Sequence, residues 1–87
     1  MAPPTLSIVT PTLGNYSDYW LEAYLKVKVD VEFILVYPPD AEIRSISDKR
    51  VISISADKKG ELSQRDLGLR KATGRYVLAL DDDDFKC

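Results

Sequence analysis

The chain has 87 residues, with 12 basic and 14 acidic side chains, a formal net charge of −2 and no histidine. That length allows one small domain, and a content of 45% hydrophobic and 30% charged residues is that of a folded globular chain rather than a disordered one. The near-neutral balance gives no basic field for nucleic acid or an anionic membrane surface, while a lone Cys87 excludes an internal disulfide and argues against a zinc site.

The opening Met1-Ala2-Pro3-Pro4-Thr5 lacks the basic and apolar regions of a secretory leader. No apolar run approaches the roughly 18 residues that a membrane span needs. A cytoplasmic location is expected, with membrane association left open through a C-terminal region beyond this chain.

The apolar runs Leu6–Val9, Val31–Val36, Val51–Ile54 and Tyr76–Leu80 have the near-continuous apolarity of strands buried on both faces of a parallel sheet. Between the first two, Asn15 is a candidate helix cap and Asp18 suits the first turn. Tyr16, Tyr19, Trp20, Ala23, Tyr24 and Val27 follow at helical spacing as one apolar stripe, read as packing against the sheet. Pro38 and Pro39 end the second strand, and Asp40 can cap a short helix carrying Ile43 and Ile46. A third helix is expected from about Gly60–Glu61 to about Thr73, with Leu62, Leu69 and Ala72 on its buried side and Gly74 as its left-handed C-terminal cap. Gly68 inside that helix costs about 1 kcal/mol relative to alanine, which either close packing on the sheet or a backbone approach to ligand would justify.

This order, β-α-β-α-β-α-β over residues 1–87, is that of a Rossmann-like α/β domain with helices on both faces of a parallel sheet. Ligands of open α/β sheets bind at the carboxyl ends of the strands. At the first such end, Thr10-Pro11-Thr12-Leu13-Gly14-Asn15 turns abruptly from apolar to small and hydroxylated; it can approach a ligand or serve as a turn and helix cap. Tyr37 at the second can stack on a base or belong to a rigid turn. At the third, Ala56-Asp57-Lys58-Lys59-Gly60 leads into a helix carrying Arg65, whose forked donors suit a diphosphate; the lysines could meet it too but read more readily as a solvated charge run.

The fourth end is the least ordinary. Asp81, Asp82, Asp83 and Asp84 are adjacent carboxylates that raise one another's pKa values unless a counter-charge is present. A hard divalent cation, Mg²⁺ or Mn²⁺, takes such oxygen ligands together with phosphate. In an extended segment Asp81 and Asp83 would point one way and Asp82 and Asp84 the other. The alternative is a solvated acidic tail.

Taken together, Ser7-Ile8-Val9-Thr10-Pro11-Thr12, Gln64-Arg65-Asp66-Leu67-Gly68-Leu69, Ala72-Thr73-Gly74-Arg75-Tyr76-Val77 and Leu80-Asp81-Asp82-Asp83-Asp84 resemble, in order, the nucleotide-binding half of the GT-A glycosyltransferases of family 2. The resemblance implies a nucleotide-diphosphate sugar donor, UDP- or GDP-linked, and Mn²⁺ or Mg²⁺ as cofactor. Pro11, Thr12 and Leu13 would line base and ribose, with Tyr37 and Asp57 at neighbouring strand ends. Arg65 would lie near the diphosphate, Asp81 would lean to ribose or metal, and Asp83 would be the principal metal ligand with Asp82 or Asp84 supporting, Asp82 also counting among the donor-binding residues. The metal would stabilise the leaving diphosphate. The chain departs from the family in having Tyr37-Pro38-Pro39 where an acidic residue usually reads the base, and Leu13 where a tyrosine is common. Complete members are more than twice this length and carry the acceptor site and the catalytic base after the Asp-x-Asp motif. The resemblance therefore implies a donor-binding portion that is inactive alone, with the acceptor unknown. A non-catalytic domain, either nucleotide-binding or self-associating as a homodimer through an exposed sheet edge or apolar face, is the alternative. A haloacid dehalogenase-type phosphatase fits less well, because that family places its Asp-x-Asp near the N-terminus.

Overall fold

The computed structural model describes residues 4–14, 17–27 and 30–80. Strands β1 (Leu6–Pro11), β2 (Val31–Tyr37), β3 (Val51–Ser55) and β4 (Tyr76–Ala79) form one parallel sheet in the order β3-β2-β1-β4. Helix α1 (Asp18–Tyr24) follows β1 and helix α2 (Glu61–Lys71) follows β3. The chain is thus α/β with a parallel sheet, as expected, but among the described residues it has two helices and reads β-α-β-β-α-β.

Alternation along the two central strands builds two cores. Ile8, Val31, Phe33, Leu35 and Tyr37 face α1, whose Trp20 and Tyr24 rings stack at 4.5 Å and fill that side. Val9, Ile34 and Val36 face the other way, with Leu67 and Ala72 packed beside them. β1 and β2 are buried on both faces, as their continuous apolarity predicts. β4 is exposed throughout, because it lies at the sheet edge and neither helix reaches over it.

Several local expectations change. The cap of α1 is Ser17, whose Oγ accepts from the Trp20 N–H at 3.1 Å, two residues after Asn15, which lies with Tyr16 outside the described residues. Tyr19 is 68% exposed, because a seven-residue helix has room for only Trp20 and Tyr24 on its buried side. The helix expected at Ile43 and Ile46 does not form. Instead the Ala41 N–H closes a turn on the Pro38 carbonyl, and the chain runs irregularly to β3 with Ile46 against the α1-side core. Two β-branched residues and two serines give residues 43–47 little helix propensity with which to resist that course.

Arg50 fastens the end of this crossover. Its guanidinium donates to the Leu25 and Val27 carbonyls at 2.8 and 2.7 Å, pairs with Asp48 and lies 5.0 Å over the Phe33 ring. One side chain thereby satisfies carbonyls just past α1 and ties them to the start of β3.

In α2 the leucines misreport the buried face. Leu62 is 78% and Leu69 44% exposed, while Gln64 and Gly68 are buried and Leu67 partly so. The helix ends at Lys71, with Ala72 extended. Gly74 does not adopt a left-handed backbone; Gly14 and Gly60 are the described glycines that do. Gly74 is small for another reason: a β-carbon there would stand 2.7 Å from the Ser7 nitrogen.

A carboxylate explains why α2 stops where it does. Glu32 accepts from the Thr73 N–H at 2.7 Å, from the Thr73 hydroxyl at 3.0 Å and from the Ser7 hydroxyl. The Ser7 oxygen in turn accepts from the Gly74 N–H at 2.8 Å. These bonds draw the chain out of the helix and lay it against β1. Partial burial pushes the Glu32 carboxyl up, but the donors of Ser7, Thr73 and Gly74 together outweigh it and hold the group below its ordinary value. A depressed carboxyl contributes stability that is complete above its unfolded pKa and is lost as pH falls through its folded one. Melting temperature is therefore expected to fall as pH drops below about 4.5. Glu32→Gln should lower it at neutral pH and flatten the acid slope. Asp48, also held low through its hydrogen bonds with Arg50, accounts for part of the slope that remains. An unchanged slope in Glu32→Gln, measured by circular dichroism, would remove Glu32 from this role.

Candidate functional site at the strand ends

The strand order creates a switch point. From β1 the chain moves outward to β2 and β3, then returns through α2 to β4 on the other side of β1. The crevice beside the carboxyl ends of β1 and β4 is where open α/β sheets take ligands. β4 stays in register with β1 up to Val9 and Ala79, and the Leu80 N–H donates to the Val9 carbonyl at 2.9 Å. Leu80 is the last described residue. Asp81, Asp82, Asp83 and Asp84 come next in sequence and lie outside the described residues. Among the described residues no cluster of three or more acidic, histidine or cysteine side chains is arranged to hold a metal.

The loop after β1 is closely tied down. The Thr12 N–H donates to the Val36 carbonyl at 3.0 Å, continuing the ladder one residue past the strand. The Thr12 hydroxyl, buried, accepts from the Gly14 N–H at 3.0 Å. Gly14 takes φ +85°, a conformation that glycine adopts without the β-carbon penalty, and sits over the Tyr37 ring. Pro11 and Thr12 are buried, whereas Leu13 projects into solvent.

Tyr37 does not face this crevice. It is completely buried in the α1-side core, with Gly14 close to one edge of its ring, so the ring presents no exposed face to a base. Asp57, Lys58 and Lys59 are exposed on the loop after β3. Arg65 is half-buried one turn into α2, whose N-terminal end, with its partial positive charge, opens on the strand-end side. The structure thus brings Pro11, Thr12 and Leu13 together at the end of β1, beside the end of β4, and removes Tyr37 from the surface.

Sequence reasoning missed Gln64. This side chain is 2% exposed, and its amide donates to both the Thr12 carbonyl at 2.9 Å and the Val36 carbonyl at 2.7 Å. Its oxygen faces the Gly60 N–H at 3.4 Å. The available signal was positional: Gln64 shares a helical face with Leu67 and Gly68, three and four residues on.

No helix among the described residues is long and apolar enough to cross a membrane. Comparison with protein-family models, curated protein sequences and solved structures finds no match to this chain, which leaves the strand ends and their residues as the basis for a functional reading.

Proposed function

We propose that the chain is the donor-binding portion of a nucleotide-sugar-dependent glycosyltransferase, with its sheet forming half of a GT-A fold. The observation that supports this reading most is the strand order, which sets the buried Thr12 loop beside the end of β4, the strand that the acidic run Asp81–Asp84 follows in sequence. In this reading Pro11, Thr12 and Leu13 line the nucleoside of a UDP- or GDP-linked sugar, and Arg65 attracts its diphosphate. Asp81 and Asp83, with Asp82 toward the donor, offer the all-oxygen carboxylate set that suits Mn²⁺ or Mg²⁺. A metal bound there would supply charge neutralisation to the leaving diphosphate.

Titration calorimetry with UDP, GDP and their sugars, with and without Mn²⁺, tests the reading. Metal-dependent binding is expected, and Asp83→Asn, which removes a direct ligand, should weaken it by at least the about 10- to 100-fold that loss of an outer-shell partner costs, without lowering the melting temperature. Absence of nucleotide binding by the unaltered chain in every condition would overturn the reading. The exposed edge at Tyr76, Val77 and Leu78 favours a second one, a self-associating domain. Sedimentation of a monomer at all concentrations would count against it.

A further inference from the structure

The geometry points to Gln64 as a positioning residue that aims the Leu13 main-chain N–H at an oxygen acceptor on the ligand. This inference rests on the donor-binding reading for its ligand and on the loop's own geometry for the rest. A buried amide with both of its N–H donors aimed at main-chain carbonyls is demanding to retain, since an unmet donor or acceptor at such a site is costly. Gln64 meets that demand by bridging from the first turn of α2 to the carbonyls of Thr12 and Val36.

The consequence lies one atom further along the chain. The peptide joining Thr12 to Leu13 is planar and trans, so its C=O and N–H point in opposite directions. Because Gln64 holds the Thr12 carbonyl inward, the Leu13 N–H is turned away from the buried side, at a residue that is itself 60% exposed. The flanking amides are committed inside the loop, Thr12 to the Val36 carbonyl and Gly14 to the Thr12 hydroxyl. Among the described amides of this loop, Gln64 therefore selects which N–H is presented. A fixed outward N–H beside the end of β4 is suited to a carbonyl or phosphate oxygen of a nucleotide, and its orientation is set before the ligand arrives.

The test uses the whole chain with Gln64→Leu, which removes both donors, and Gln64→Asn, one methylene too short to reach both carbonyls. Leu67→Ala, on the same face of α2, serves as a control that loosens packing without touching the loop. Calorimetry with UDP and Mn²⁺ well below each melting temperature should show affinity about 10-fold weaker for whichever Gln64 variants fold, the equivalent of one well-placed hydrogen bond. Leu67→Ala should lose stability and keep its affinity. In the ligand-free protein, nitrogen–proton correlation spectra should show the Leu13 and Gly14 amides displaced in the Gln64 variants and unmoved in Leu67→Ala. Unaltered affinity in a folded Gln64 variant, or an equal loss in Leu67→Ala, overturns the positioning role. If the unaltered chain binds no nucleotide, the donor-binding reading fails by itself. The loop spectra then decide: displaced Leu13 and Gly14 amides sustain the positioning role and unmoved ones end it.

Discussion

Gly74→Ala is expected to cost about 3 kcal/mol, at the upper end of what overpacking usually costs, and to lower the melting temperature by more than about 10 °C in a domain of this size. The added β-carbon would stand 2.7 Å from the Ser7 nitrogen and Oγ and 2.8 Å from the Leu6 carbonyl carbon. Two of these three atoms are backbone, and their strand is paired on both sides, to β2 and to β4, so neither can retreat without opening a ladder. The displaced segment also holds the Gly74 N–H bond to Ser7 and the adjoining main-chain bonds from Arg75 and Tyr76 to Pro4 and Thr5. For a small domain with about 5 kcal/mol in hand, the loss is a large share of the whole. Combining it with Ser7→Ala separates causes. If the collision is with backbone, removing the Ser7 hydroxyl leaves the penalty in place. Recovery in the double variant would assign it to the hydroxyl instead.

The same glycine shows where reading the sequence succeeded and where it did not. Its position after a helix suggested a left-handed cap, the commonest reason for glycine there. Close approach to β1 leaves no signature in the local sequence, because the partner residues are 67 positions away. The strands were legible for the opposite reason. Burial on both faces of β1 and β2 demands apolar side chains at every step, and a continuous run of them is visible without knowing the neighbours. Tyr37 belonged to that run. As the next residue after Leu35 on the period-two face of Phe33 it goes into the core, and assigning it to the loop gave it a surface role that its burial precludes. Ile43 and Ile46 have a spacing that fits a helix, yet with only two apolar positions an irregular chain can bury Ile46 just as well.

The strand-end location of the candidate site followed from the order of elements alone, since it depends on topology rather than on any one side chain. What topology could not supply was Gln64. Its burial is stabilised by two main-chain carbonyls, one of them 52 residues away, and a glutamine on a helix otherwise reads as a surface residue. On the face of α2 that meets the sheet, small size and hydrogen bonding count for more than apolarity. This is why Leu62 and Leu69 pointed outward and the sequence pattern misled.

Gly68 carries that argument to a measurable sign. A β-carbon at position 68 would lie 2.3 Å from Val9 Cγ1 and 3.0 Å from Val36 Cγ2, so the glycine lets α2 settle onto β1 and β2. Of the two uses its presence suggested, packing on the sheet is the one these contacts support. Alanine there should gain about 1 kcal/mol of helix propensity and lose about 2–3 kcal/mol to a collision with a β-branched side chain that has no free space to rotate into. The net expectation for Gly68→Ala is a loss of about 1–2 kcal/mol from these opposing terms. In a Val9→Ala background the nearest clash is gone, and the same substitution should become neutral or stabilising by up to about 1 kcal/mol. A coupling of about 2 kcal/mol across the cycle is the result expected of two residues in direct contact, read from urea unfolding of the four proteins. Additive effects would mean that the helix shifts to accommodate the methyl group. Because Gly68 meets the sheet rather than the strand ends, the affinity of folded Gly68→Ala for UDP with Mn²⁺ should match that of the unaltered chain; a loss there would instead point to a backbone approach to ligand at this turn of α2.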